Sequence, residues 1–345
     1  MIKEIEIFYF SGTGNAKKIA KWFSECAIKK RIICKILDIS KIGSGNIIIN
    51  PKALIIIISP IHGFNYPKIT LDFIKKFPDG KNKIVLMNTR AGARIGNFVT
   101  PGLTGIAFLI STIILKFKGN KIVGQIPFDM PSNWISIHPA LREKSIKILH
   151  QKNYNKVVKH AEKIFVGKRD FIALRDIIQD IIIAPISFLY YLVGRYAFAK
   201  TFYASDKCDN CELCIKECPV KAIINISGRP YWTLKCESCM KCMNNCPQRA
   251  IETAHGLFVM ILIIGLILNS FIPYDFIEKN IFVDFGGFVI KNIIFISLLL
   301  AFYRIQHIFL NKKIFAQIIA QTSLTYYKFW GRYKSIADYR WKKSN

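Results

Sequence analysis

Acidic residues are scarce in this 345-residue chain: 22 Asp and Glu stand against 50 Lys and Arg, a formal net charge of +28. Such an excess calls for an acidic counterpart, whether nucleic acid, anionic lipid or an acidic protein partner. No nucleic-acid-binding module pattern is present, so nucleic acid is not expected as the partner. The opening Met1-Ile-Lys-Glu-Ile-Glu-Ile7 lacks the charged-then-apolar pattern and cleavage site of a secretory signal. A reducing compartment is therefore expected, and disulfides are not. A dinucleotide fingerprint is missing, because Lys17 stands where its third glycine belongs, and no Walker loop with Gly-Lys-Ser/Thr follows. Also lacking are a Ser/His/Asp set, an acid–base carboxylate pair and a second nucleotide loop, so nothing local marks an enzyme. The chain is 52% hydrophobic with a mean hydropathy of +0.27. That is too apolar for an ordinary soluble enzyme, and continuous apolar spans are too few for a polytopic transporter.

Over the first 168 residues short apolar runs alternate with helical spacing. Strands are expected at 2–10, 32–39, 53–59, 83–88 and 121–128, and helices at 16–29, 69–77, 102–117 and 141–165. Five strands separated by helices predict an α/β fold with a doubly wound five-stranded parallel sheet. The unalternating Leu54–Ile58 suits a central strand covered on both faces. Ile47–Ile49 reads as a loop or edge piece. Residues 169–201 read as a helical linker broken at Pro185, whose charge-free core is shorter than the ~20 residues of a membrane span.

Eight of the ten cysteines fall in two copies of C-x2-C-x2-C-x3-C-P, at Cys208, Cys211, Cys214, Cys218-Pro219 and at Cys236, Cys239, Cys242, Cys246-Pro247. In a reducing compartment this clustering means metal ligation. Zinc sites favour separated C-x2-C pairs and ask for neither the third cysteine nor the prolines. In this spacing three thiolates grip one iron–sulfur cubane and the fourth cysteine serves the other cluster. Two [4Fe–4S] clusters are expected within 202–254, one on Cys208, Cys211, Cys214 and Cys246, the other on Cys236, Cys239, Cys242 and Cys218. Cys26 and Cys34 stand alone and read as inert buried thiols.

After the first strand comes Phe10-Ser-Gly-Thr-Gly-Asn-Ala16 and then a Lys-rich helix. Glycines permit the tight turn, N–H groups at a helix start face an anion, and Ser11 and Thr13 add hydroxyls. This segment resembles the phosphate loop of flavodoxins, with Ser11, Thr13, Gly14 and Asn15 in place, Gly12 at the position any residue fills and Ala16 where a threonine is usual. The resemblance implies FMN, strand order 2-1-3-4-5, and a flavin ring across the loops after the third and fourth strands. Those loops carry Pro60, Phe64 and Tyr66, then Asn88, Thr89, Arg90 and Gly92. Phe64 and Tyr66 are the candidates to stack on the ring, and Arg90 or Arg94 to offset the charge of reduced flavin. Trp134 is a candidate to cover the ring, and His62 is assigned no chemistry. Residues 1–255 as a whole resemble the flavodoxin–ferredoxin fusion family. That implies an electron-transfer iron–sulfur flavoprotein serving a redox protein or small donor or acceptor. A flavin-dependent reductase, or an anchor subunit of a membrane redox complex, are the alternatives.

The C-terminal third is apolar and then basic. Gly256–Tyr274 is uncharged and long enough to span, whereas Lys291 interrupts the second stretch, 285–303. Acidic residues lie between the two and bases flank them, so a membrane hairpin over 255–310 with both ends in the cytoplasm is expected. The basic aromatic tail 311–345 then reads as an interfacial anchor on anionic lipid.

Overall fold

A computed structural model describes residues 2–42, 47–95, 98–270, 281–337 and 339–341. The chain divides into two compact units. The first comprises Met1–Leu189, Cys239–Asn244 and Arg332–Tyr339; the second comprises Tyr190–Ser238, Asn245–Gly331 and Arg340–Asn345.

Unit 1 is built on strands β1 (Glu4–Tyr9), β2 (Ile33–Asp38), β3 (Leu54–Pro60), β4 (Lys83–Ile95), β5 (Phe98–Thr100) and β6 (Lys121–Pro131). Parallel pairing runs β2-β1-β3-β4-β6, and β5 adds only a short antiparallel hairpin to β4. The five expected parallel strands are present, and β5 is a sixth, antiparallel strand that was not expected. The parallel order is that of the flavodoxin-like doubly wound fold, with the fifth parallel strand numbered β6. The extra strand forms because β4 continues past Asn88, where a loop was expected: it follows β6 as far as Gly92↔Pro131, and its last residues, Ala93–Ile95, pair with β5.

Alternation along β1 assigns its two faces. Ile5, Ile7 and Tyr9 join α1 (Asn15–Lys29) and α4 (Glu143–Phe165) through Ile19, Phe23, Val157 and Ile164. Phe8 points the other way, 5.1 Å from Phe73 of α2 (Lys68–Lys76), and α3 (Ala107–Phe117) contributes buried Phe108 and Leu115. Each fully buried aliphatic side chain contributes about 1.5–3 kcal/mol, so β3, with Leu54–Ile58 all buried, anchors the unit.

A helical run of 28 residues, Ile172–Ala199, follows. It contains α5 (Ile177–Leu189), a wider π-type turn at Tyr190–Gly194 and α6 (Arg195–Ala199). Pro185 sits inside α5 and does not end it, so the run is longer than the sequence suggests. A proline removes one hydrogen bond, and a nearby wider turn lets the ladder resume.

Unit 2 holds two small antiparallel pairs, β7 (Phe202–Ala204) with β10 (Ile251–Thr253), and β8 (Ile223–Ile226) with β9 (Arg229–Trp232). The short cysteine-motif helix of unit 2 is α7 (Leu213–Lys216), and its counterpart α8 (Lys241–Asn245) belongs to unit 1 except for its last residue. Helices α9 (His255–Ser270), α10 (Ile281–Phe309) and α11 (Lys313–Gln321) follow.

The expected membrane hairpin is not supported. Among the described residues only Ile172–Ala199 is long and apolar enough to cross a bilayer, whereas the apolar parts of α9 and α10, His255–Ile264 and Phe295–Phe309, are shorter. The connecting residues 271–280 lie outside the described residues. Each helix meets protein along part of its length, where Ile261 and Leu299 pack with Ala197 of α6, while Val259, Ile263, Ile293 and Ile308 stay exposed. The tail divides its aromatics, with Phe329 (73%) and Tyr327 (39%) exposed. Trp330, Tyr333 and Trp341 are buried against the chain's own atoms.

Candidate functional site

The two cysteine motifs repeat in backbone conformation as well as in sequence. Left-handed φ angles occur at Asn210, Glu212 and Lys221 and again, at matching places, at Ser238, Met240 and Arg249. Such turns curl the chain so that N–H groups face sulfur. Cys218 Sγ accepts from Ala222 N at 3.3 Å, and Cys246 Sγ from Ala250 N at 3.4 Å. The left-handed residues are not glycines, so spacing alone gave no signal for them. An L-residue there costs roughly 1–2 kcal/mol, an outlay that points to a constrained site.

Within unit 2, Cys208, Cys211, Cys214 and Cys246 line one cavity. Burial pushes the Cys214 thiol up to about 12, and charge on Cys208, Cys246 and Cys211 adds to the rise, as expected of sulfurs held near one another. Among the described residues no three His, Cys, Asp or Glu side chains converge tightly enough for a single metal ion. A cubane spreads its thiolates over four separate irons, and the cavity suits that arrangement. Cys218 and Cys236 belong to unit 2, Cys239 and Cys242 to unit 1. Beside Cys236, the buried Lys200 donates to the Trp232 carbonyl and lies over the rings of Tyr303 (4.5 Å) and Tyr231 (4.8 Å). Burial lowers its pKa to about 8 and the charge of Cys236 opposes this, so a basic group stands near that sulfur.

In unit 1 the β1–α1 turn has Gly14 in the left-handed region at φ 100°, and no side chain caps α1. The Ser11 hydroxyl accepts from Gly14 N at 3.1 Å, and the Thr13 hydroxyl from Asn133 Nδ2 at 2.8 Å. Each hydroxyl thus acts as acceptor toward the protein and keeps its own hydrogen to donate to an anion. Asn15 differs. Its Nδ2 donates to Pro131 O at 2.8 Å and its Oδ1 accepts from Tyr333 Oη at 2.7 Å, so it positions the turn and has both ends of its amide engaged. Ala16 is buried in the sheet–helix core.

Two segments distant in sequence back this turn. Ser335 N donates to Thr13 O at 2.7 Å, and a Cβ on Gly14 would come within 2.8 Å of Ile336 N. A Cβ on Gly12 would fall far inside van der Waals contact with the Cys239 carbonyl. His150 accepts from Lys18 Nζ at 3.3 Å and faces Tyr333 Oη at 3.1 Å. Burial, then the Lys18 charge, brings its pKa down to about 4, which keeps the ring neutral.

The flavin-ring candidates are placed unevenly. Pro60 ends β3, and Phe64 is half-buried at φ 64°, its carbonyl accepting from Ile106 N and Ser187 Oγ. Tyr66 is 1% exposed, with its hydroxyl donating to Met87 O at 2.9 Å, and serves as a core side chain with no free face. Asn88, Thr89 and Arg90 are buried within β4. Arg90 is held between Asp129 and Asp176, at 2.6 Å each, and its charge is thereby already matched. Gly92 backs onto Asp129 O, where a Cβ would approach to 2.5 Å. Trp134 is half-buried, and Arg94 lies where only the backbone is described.

Residues 207–251 match the 4Fe-4S dicluster domain. That domain spans both cysteine motifs. No curated protein matches the chain. Solved structures similar to part of it include oxidised flavodoxin 1 from Bacillus cereus, at 15% identity over 46% of this chain and 98% of that one, with a TM-score of 0.32. A short-chain flavodoxin associated with a non-canonical PDU bacterial microcompartment shows 16% identity over 47% and 99%, with a TM-score of 0.30. The flavodiiron protein from Giardia intestinalis shows 9% over 48% and 36%, with a TM-score of 0.29.

Proposed function

We propose that the chain is an electron-transfer iron–sulfur flavoprotein, carrying two [4Fe–4S] clusters and FMN. The reading rests above all on Cys208, Cys211, Cys214 and Cys246 lining one cavity inside a region that matches a 4Fe-4S domain. FMN takes two electrons and releases them singly, while each cubane carries one. The chain's part is to bind and orient these groups. Ser11 and Thr13 would donate their free hydroxyl hydrogens to the FMN phosphate, and the uncapped amino end of α1 would add backbone N–H groups. Phe64 is the aromatic left for contact with the ring once Tyr66 is assigned to the core.

Protein purified without oxygen is expected to hold about eight iron atoms per chain, two cubanes of four, and to bind FMN noncovalently. Thr13→Ala removes a donor to a dianion and should weaken FMN about tenfold to hundredfold. Normal FMN affinity in Thr13→Ala would exclude this loop as the phosphate site. Reduction by NADH, by a reduced ferredoxin or by a quinol identifies the class of donor.

A second reading concerns location. We infer that the helical run Ile172–Ala199 holds the protein on anionic lipid, because it exposes Ile178 (73%), Ile182 (72%) and Leu192 (60%) on a chain of net charge +28. Co-sedimentation with phosphatidylserine vesicles should fall several-fold in the double variant Ile178→Glu, Ile182→Glu. Unchanged sedimentation would remove the run from membrane contact.

A further inference from the structure

Trp341 lies far from the cysteine motifs in sequence, yet it lines the cavity of Cys208, Cys211, Cys214 and Cys246. It is 5% exposed. Arg340, one residue before it, pairs with Glu217 at 2.9 Å, which ties this end of the chain beside the first motif. The indole Nε1 is buried and has no hydrogen-bond partner among the described residues. Leaving a buried N–H unpaired costs about 1–3 kcal/mol, so such donors normally have an acceptor. Apolar residues such as Ile215, Pro230 and Ile251 make up much of the remaining wall. The thiolate and sulfide sulfurs of a cluster in this cavity are acceptors of the required kind.

We propose that Trp341 caps this cluster, donating its indole N–H to a cluster sulfur and shielding the cluster from water. The proposal rests on the reading of these four cysteines as cluster ligands. When the cluster takes one electron from a reductant, negative charge grows on its sulfurs. A donor aimed at them stabilises the reduced form more than the oxidised one and raises the potential.

Two variants separate donor from shield. Trp341→Phe keeps a ring over the cavity and deletes the N–H. In an anaerobic dithionite titration followed by electron paramagnetic resonance, the reduced-to-oxidised ratio of one cluster at a fixed potential should fall about tenfold, a shift of about 59 mV for a one-electron couple. The other cluster should hold its value and serves as the internal control. Trp341→Ala also opens the cavity, and its 400 nm absorbance should bleach several-fold faster in air than that of wild type or Trp341→Phe. A Trp341→Phe protein with full iron and both potentials unchanged would overturn the donor role. Equal bleaching of Trp341→Ala and wild type would overturn the shield. Wild-type protein that takes up no iron would instead overturn the underlying cluster reading.

Discussion

Cys246→Ala should strip the cluster bound by Cys208, Cys211 and Cys214 and leave the other, so iron falls from about eight to about four atoms per chain. Cys218→Ala should do the converse. The argument is local and physical. Three cysteines at two-residue gaps curl around one side of a cubane, and the left-handed Asn210 and Glu212 sharpen that curl. The next cysteine, followed by proline, is turned out of the curl, because proline fixes φ and disfavours helix at the residue before it. Cys246 then lines the cavity of the first three, and its buried sulfur already accepts Ala250 N. Removing that thiolate leaves one iron without a protein ligand in a partly buried place. Iron analysis and electron paramagnetic resonance of the single variants check the result. Survival of the Cys208–Cys214 cluster in Cys246→Ala, with loss of the other, would replace the crossed ligation with an uncrossed one.

Gly12→Ala should cost about 3 kcal/mol, the upper part of the usual range for overpacking, because the atom it meets is a backbone carbonyl that cannot rotate away. For a unit of this size that is a fall in melting temperature of roughly 6–12 °C. Gly167→Ala is the control. Gly167 has φ 83° and open space around it, so only the left-handed conformation is penalised there, at about 1 kcal/mol. Thermal unfolding of both variants, freshly reconstituted with iron, gives the comparison. If Gly12→Ala unfolds no earlier than Gly167→Ala, the segment Cys239–Asn244 does not press on the turn as described.

The phosphate turn marks the boundary between what was legible in the chain and what was not. Alternating apolar runs and helical spacing sufficed for the α/β architecture and a parallel sheet, since burying those faces leaves few other arrangements, while the strand order came from the resemblance of the phosphate loop. Cysteine spacing sufficed for the 4Fe-4S region, because ligand geometry is local and is written into consecutive residues. Gly12 and Gly14 were legible as a tight turn that suits an anion. That Gly12 must also admit the Cys239 carbonyl, and that Tyr333 and Ser335 bind the turn from behind, was not legible, since those contacts join residues more than 200 positions apart. The same limit explains Tyr66, Arg90 and Trp341. An aromatic or basic residue has the same identity on a loop, in a core or over a cluster cavity. Only the extension of β4 along β6 buries Arg90 between Asp129 and Asp176, and only the path of the tail seats Trp341 beside Cys246. The sequence by itself determined the elements, their order and the ligand types. Tertiary structure decided which polar and aromatic groups are free to act, because burial and partnership depend on residues that meet only after folding.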